Sequence, residues 1–293
     1  MKLHFFCPRW GSENIAWEAW LSQVKLAGYD GVEWAVANNT DRRELERVLA
    51  LTDKLGLRVI LQHFETSDCD FNRHLALYTN WFEKIRGCSC VKINSQTGKD
   101  YFSDEENKKL LEVAAGYSQE LNIPVVHETH RGKFSFAAHV THQYLQLLPD
   151  LRLTLDVSHW VNVAESYLDD QSSALGMAIE RTDHLHARVG YPEGPQVPDP
   201  RAGVWKEALE KHLKWWDAVA VLKKASGDVL TVSPEFGPYP YMVHHPRTGD
   251  PLADQWKSNS FMMHFLKKRY ENSEIPPDPA VTFPDVVPKS IPE

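Results

Sequence analysis

Basic charge is scarce in this chain: 32 lysines and arginines stand against 40 aspartates and glutamates, a formal net charge of −8. Neutralising a phosphate backbone or docking on an anionic membrane requires a basic surface, so neither nucleic acid nor membrane is expected as a partner. Cysteine is sparse too. Cys7, Cys69, Cys88 and Cys90 form no spaced disulfide framework, and the Cys88-Ser89-Cys90 pair has no two further ligands nearby to complete a metal site. Long apolar runs are missing: none approaches a membrane span, and Pro8 and Arg9 interrupt the opening MKLHFFCPRWG before a secretory segment can form. The expected setting is reducing and cytoplasmic.

What the chain does have is a repeated strand-helix rhythm. At 293 residues, with 42% hydrophobic and 25% charged content, it can build one large α/β domain. Short apolar runs begin at Leu3, Gly31, Arg58, Cys90, Ile123, Leu151, Asp183 and Leu230, and most are followed by a segment with helical apolar spacing. The helical segments are Ile15–Leu26, Arg42–Leu55, Asn72–Ile85, Glu105–Leu121, Phe136–Leu148, Asp170–Arg181, Val204–Lys224 and Leu252–Tyr270. Alternation of this kind implies parallel pairing through right-handed crossovers, an α/β (β/α)8 TIM barrel formed by residues 1–271. The seventh unit is longer than the rest. Its surplus, Gly190 to Gly203, is rich in proline and glycine and should overhang the strand ends as a wall or lid, with Arg188 and Gln196 or Arg201 facing the substrate. Residues 272–293, with six prolines, read as an extended C-terminal appendage that packs on the barrel or reaches a neighbouring subunit, which leaves a homo-oligomer open.

Four of the strands end in groups that can hold a metal: Glu128 in VVHETHRG, Asp156 in LTLDVSHW, His186 in HLHARVG and Glu235 in VSPEFGP. Alternate strand residues face the barrel interior, so Val126, Glu128 and His130 share a face, as do His184, His186 and Arg188. The inward faces thus turn polar toward the C-terminal rim, where barrel chemistry is built. The order Glu, Asp with a histidine three positions later, the second His of an H-x-H, then Glu resembles the xylose isomerase-like sugar isomerase and epimerase superfamily, nearest its ketose 3-epimerase branch. That resemblance runs from the first strand to about Tyr270. It implies that Glu128, Asp156, His186 and Glu235 ligate one divalent ion, and it gives His186 the coordination position for which His184 also competes, leaving His184 to orient it. It places His159 and, more loosely, Arg188 at the substrate.

Three carboxylates and one imidazole suit Mn, Co, Mg or Zn. A hydroxy-ketone held on such an ion becomes more acidic beside its carbonyl, and two glutamates from different strands, Glu128 and Glu235, can remove and return a proton through an enediolate. Return to the opposite face is epimerisation and return to the same face is isomerisation; the residues alone leave both open, with a related lyase. The expected substrate is a ketose, keto-sugar or sugar phosphate, a small-molecule carbohydrate. Candidate substrate contacts are His63, His130, His159 and Arg188, with Trp34 and Trp160 after strand ends to stack on a sugar face. Gln62, Asn94, Gln96 and Arg131 occupy the same rim. The alternatives are an endonuclease IV-like metal-dependent phosphodiesterase, which would need further metal-binding residues and a basic surface, and a non-catalytic sugar-binding barrel.

Overall fold

The computed structural model describes residues 2–271; the extension assigned to 272–293 lies outside the described residues. Its strands are β1 (Lys2–Pro8), β2 (Gly31–Ala35), β3 (Arg58–His63), β4 (Lys92–Ser95), β5 (Val125–Glu128), β6 (Leu153–Leu155), β7 (Thr182–His186) and β8 (Val229–Ser233). They close in sequence order into one parallel barrel, with β8 pairing back on β1 from Lys2↔Val229 to Phe5↔Val232. This is the (β/α)8 TIM barrel that the strand-helix rhythm implies. The helices are α1 (Trp17–Leu26), α2 (Arg42–Lys54), α3 (Phe71–Ile85), α4 (Asp104–Leu121), α5 (Ala138–Leu147), α6 (Val157–Val163), α7 (Ser172–Glu180), α8 (Lys206–Ser226) and α9 (Gln255–Glu271).

Local chemistry sets the boundaries. Asp41 and Asp70 accept from the backbone N–H of Glu44 and Arg73 at the starts of α2 and α3, and Ser103 and Glu106 close a reciprocal capping box on α4. Gly28 ends α1 at φ +89°, a left-handed turn that a Cβ would strain. Trp20, Trp81 and Trp216, on α1, α3 and α8, are fully buried between helices and sheet. The departure from sequence expectation is α6. The segment after Leu155 reads as a continuing strand, but the Asp156 side chain accepts from Ser158 N–H at 3.0 Å and turns the chain into a helix.

The N-terminal end of the barrel is tied by Asp183, which accepts two parallel hydrogen bonds from Arg152 (2.8 and 2.9 Å) and a third from Lys223. Burial pushes the Asp183 carboxyl up, but those two cations outweigh it and hold it at about 2. A depressed carboxylate stabilises the fold fully above the ordinary aspartate range near ~3.9 and loses that contribution as pH falls toward its folded value. Asp183→Asn is therefore expected to cost about 1.5–3 kcal/mol at pH 7. In urea melts the gap from wild type should narrow between pH 7 and pH 3; a constant gap would mean that the charge contributes nothing.

The Gly190–Gly203 segment lies on the C-terminal side as expected, but its side chains do other work. Gln196 is buried and clamps the backbone of Gly237 through both its amide atoms (2.7 and 3.2 Å), while Arg201 pairs with Asp199. Gly190 passes so close to Ser158 that a Cβ would sit 2.8 Å from the serine Cβ, so the wall tolerates no side chain there. Among the described residues no helix is long and apolar enough to cross a membrane.

Candidate active site

Inward-facing residues at the ends of β5 and β7, the N-cap of α6 and the loop just past β8 bring Glu128, Asp156, His186 and Glu235 together: one ligand atom from each lies within 4.8 Å of all the others. All four are buried. Nδ1 of His186 is 2.8 Å from a Glu235 oxygen and 3.6 Å from Oε1 of Glu128. Both Nδ1 of His186 and Oε1 of Glu128 are buried without a hydrogen-bond partner. Three carboxylates gathered round one imidazole in the interior need positive charge among them, so a divalent ion fits this donor set.

The two glutamates sit in different surroundings. Oε2 of Glu128 accepts amide hydrogens from Gln62 (3.1 Å), Gln96 (3.2 Å) and Asn94 (3.4 Å). Burial pushes the Glu128 carboxyl up, yet the neighbouring His186 outweighs it and brings it to about 2. Glu235 has no such amide cradle; burial lifts it to about 7, the charge of Glu128 adds to the rise, and His186 opposes it. For His186, burial disfavours the charged ring, but Glu235, Glu33 and Glu128 together raise it well above the ordinary histidine range. Two carboxyls driven apart in this way can serve as fixed anion and proton carrier.

Arg188, 1% exposed, enters the same space. Its guanidinium donates to Asp156 and to Ser158 Oγ (3.1 Å), and comes 3.7 Å from Glu235. It also lies 2.8 Å from Nε2 of His159. Arginine only donates, so that nitrogen accepts and the proton of neutral His159 sits on Nδ1, which is buried and unpartnered. Burial, reinforced by His130 and Arg188, keeps His159 well below its ordinary range, and burial likewise lowers His130 to about 4. The two neutral rings lie 3.9 Å apart beside Glu128.

His130, His159 and Arg188 are thus gathered at the cluster. His63, Trp34 and Trp160 are not, and their expected contact with substrate is corrected. His63 and Trp34 point outward from their strands, His63 against Tyr78 and Trp81 with Nε2 2.7 Å from Thr66, and Trp34 against Trp17. Strand alternation instead turns Gln62 and Glu33 inward. Trp160 rides on α6 into the core, where its indole N–H donates to the Ser135 carbonyl at 2.8 Å. His184 meets Glu33 and the Thr231 backbone; it does not contact the nitrogens of His186. Reading strand ends missed Tyr241, in the loop after β8, whose ring lies 4.7 Å from the Arg188 guanidinium carbon and 4.9 Å from that of Arg131. Its only sequence signal is the turn-rich GPYPYM following Glu235.

No family model and no curated protein matches the chain. Solved structures do match in fold. D-allulose 3-epimerase from Methylomonas sp. is 14% identical, with 92% of this chain and 98% of that chain covered and a TM-score of 0.58. The probable 3-DHS dehydratase AsbF from Bacillus anthracis is 15% identical over 92% of this chain and 100% of that one, with a TM-score of 0.57. Endonuclease IV from Thermus thermophilus is 12% identical over 93% and 100%, with a TM-score of 0.54. What the chain shares with them is the (β/α)8 barrel fold. At these identities the likeness is one of fold, and activity has to be argued from the site.

Proposed function

We propose that this protein is a divalent-metal-dependent sugar isomerase or epimerase, which moves a proton next to the carbonyl of a ketose, keto-sugar or sugar phosphate through an enediolate. The observation that carries the reading is the convergence of four ligand-type groups from successive strand ends, two of their atoms buried without a partner. A bound Mn, Co, Mg or Zn ion would supply Lewis-acid polarisation of the substrate and charge to offset the developing oxyanion.

The protein groups do the rest. Glu128, its Oε2 held by three amides, is a fixed carboxylate on one side of the cluster. Glu235, reaching in from just past β8 without that cradle, is the group free to take up and release a proton. The free N–H of His159 donates to a substrate oxygen. Arg188 and Tyr241 close the side facing the loop after β8 and exclude water. With both glutamates in reach of the reacting carbons the product is the epimer; with Glu235 alone it is the isomer.

The phosphodiesterase alternative would place another ion on Glu128, His130 and His159, which also lie within 4.8 Å of one another. There the Arg188 guanidinium already occupies Nε2 of His159. That leaves only Nδ1 of His159 for a second ion and sets a fixed cation against the same ring, which favours a single metal.

The test combines metal analysis of the purified protein with ketoses, keto-glycosides and sugar phosphates in deuterated water. Deuterium should enter a carbon next to the carbonyl, and chelation should stop it. Phosphodiester cleavage, or sugar binding with no exchange on any substrate, would replace this reading with one of the two alternatives. Saturation at about a hundred times Kd should stabilise the protein by about 2.7 kcal/mol, a rise in Tm of roughly 5–10 °C. A Tm that ignores both metal and chelator would count against the site.

A further inference from the structure

Beneath the four-residue cluster lies a carboxylate that the proposed reaction does not use. Glu33, inward-facing on β2 and 2% exposed, sits at the centre of the barrel. Its Oε1 accepts from Asn94 Nδ2 at 2.9 Å, and its Oε2 accepts from the Ser233 hydroxyl and lies 3.1 Å from Nε2 of His184. Side chains from β4, β7 and β8 therefore lock it in place. Both its oxygens face Nε2 of His186, at 3.1 and 3.2 Å.

We propose that Glu33 is the positioning residue that selects which nitrogen His186 offers to the ion; this rests on the metal-dependent reading above. An ionised carboxylate only accepts, so Nε2 of His186 must carry the ring proton. Asn94 Nδ2 also comes within 3.3 Å of that nitrogen, but its short bond, 2.9 Å, goes to Glu33 Oε1, and both Glu33 oxygens lie closer to Nε2 than the amide does. A ring that ligates a metal must be neutral and so keeps one N–H, which leaves the lone pair on Nδ1. That atom faces Glu128 and Glu235. Without Glu33 nothing would prevent the other tautomer, whose Nδ1–H would be aimed at the ion. A carboxylate behind the ring also makes the ligating nitrogen more basic, and removing such a partner typically lowers metal affinity about 10–100-fold.

The full chain carrying Glu33→Gln should bind zinc about 10–100-fold more weakly by calorimetry. In the zinc-loaded wild type, long-range proton–nitrogen correlation spectra should show His186 protonated at Nε2 and metal-bound at Nδ1; the variant should show this pattern lost or mixed. A residue that only supports the fold would leave the tautomer unchanged. If Glu33→Gln does not fold, Glu33→Asp retains the charge but withdraws it from Nε2, and should give the same shift in the spectrum. Unaltered zinc affinity and tautomer in a folded variant would overturn the assignment while leaving the metal site standing. A wild type that binds no zinc, manganese or cobalt would bring down the metal reading and this role with it.

Discussion

Glu235→Gln is expected to lower turnover by roughly 10²–10⁴-fold, the usual scale of a lost general acid or base, while retaining part of the metal affinity. The amide keeps the shape of the side chain and one ligating oxygen but cannot accept a proton. The same change at Glu128 should behave differently. Glu128 is already saturated at Oε2 by Gln62, Gln96 and Asn94, and an amide placed there would turn donors against donors or present its own NH2 to the ion. Its loss should therefore appear first as weakened metal binding. Single-turnover deuterium exchange at saturating metal separates the two. Undiminished exchange by the Glu235→Gln protein, or turnover with no solvent exchange at all, would replace the two-glutamate mechanism with a hydride shift or hydrolysis.

The asymmetry between these glutamates is invisible in the sequence, although their positions are not. The strand-helix rhythm is a short-range signal, and a group that ends an apolar run is placed at the rim by that rhythm alone. Which face a rim residue takes is another matter, because it depends on strand register. Gln62 pairs with Asn94 and Asn94 with Val126, and that parity turns Gln62 toward Glu128 and His63 away from it. One position decides between a site residue and a core residue. Trp34 fell to the same parity. Trp160 fell to α6, which at seven residues is too short to show helical periodicity and starts where Asp156 caps it. Tyr241 belongs to an irregular loop, and only tertiary packing lays it across Arg188. Glu33 could be seen as an acidic residue in GVEW, but its bond to His186 spans 153 positions, which no local pattern encodes.

Asp156→Asn is expected to remove a metal ligand and also to destabilise the protein by about 3–5 kcal/mol, the scale of breaking a buried ion pair from one side. Arg188 is the reason. Its guanidinium is 1% exposed, Asp156 is its closest counter-charge, and the next carboxylate, Glu235, stands 3.7 Å away. With asparagine at 156 the guanidinium stays buried against neutral partners, Ser158 and His159. Excess metal should recover only part of the activity, since the ion and the uncompensated Arg188 then repel across the same few ångströms. Arg188→Met reverses the balance: three carboxylates remain without the guanidinium, so added divalent metal should raise its Tm by more than it raises that of wild type. The double variant should be more stable than Asp156→Asn alone, because it removes both charges. Chemical denaturation of the four proteins with and without metal measures the coupling. Additive costs, or a loss below about 1 kcal/mol for Asp156→Asn, would mean that Arg188 is neutralised elsewhere and that the balance between guanidinium and metal does not govern this site.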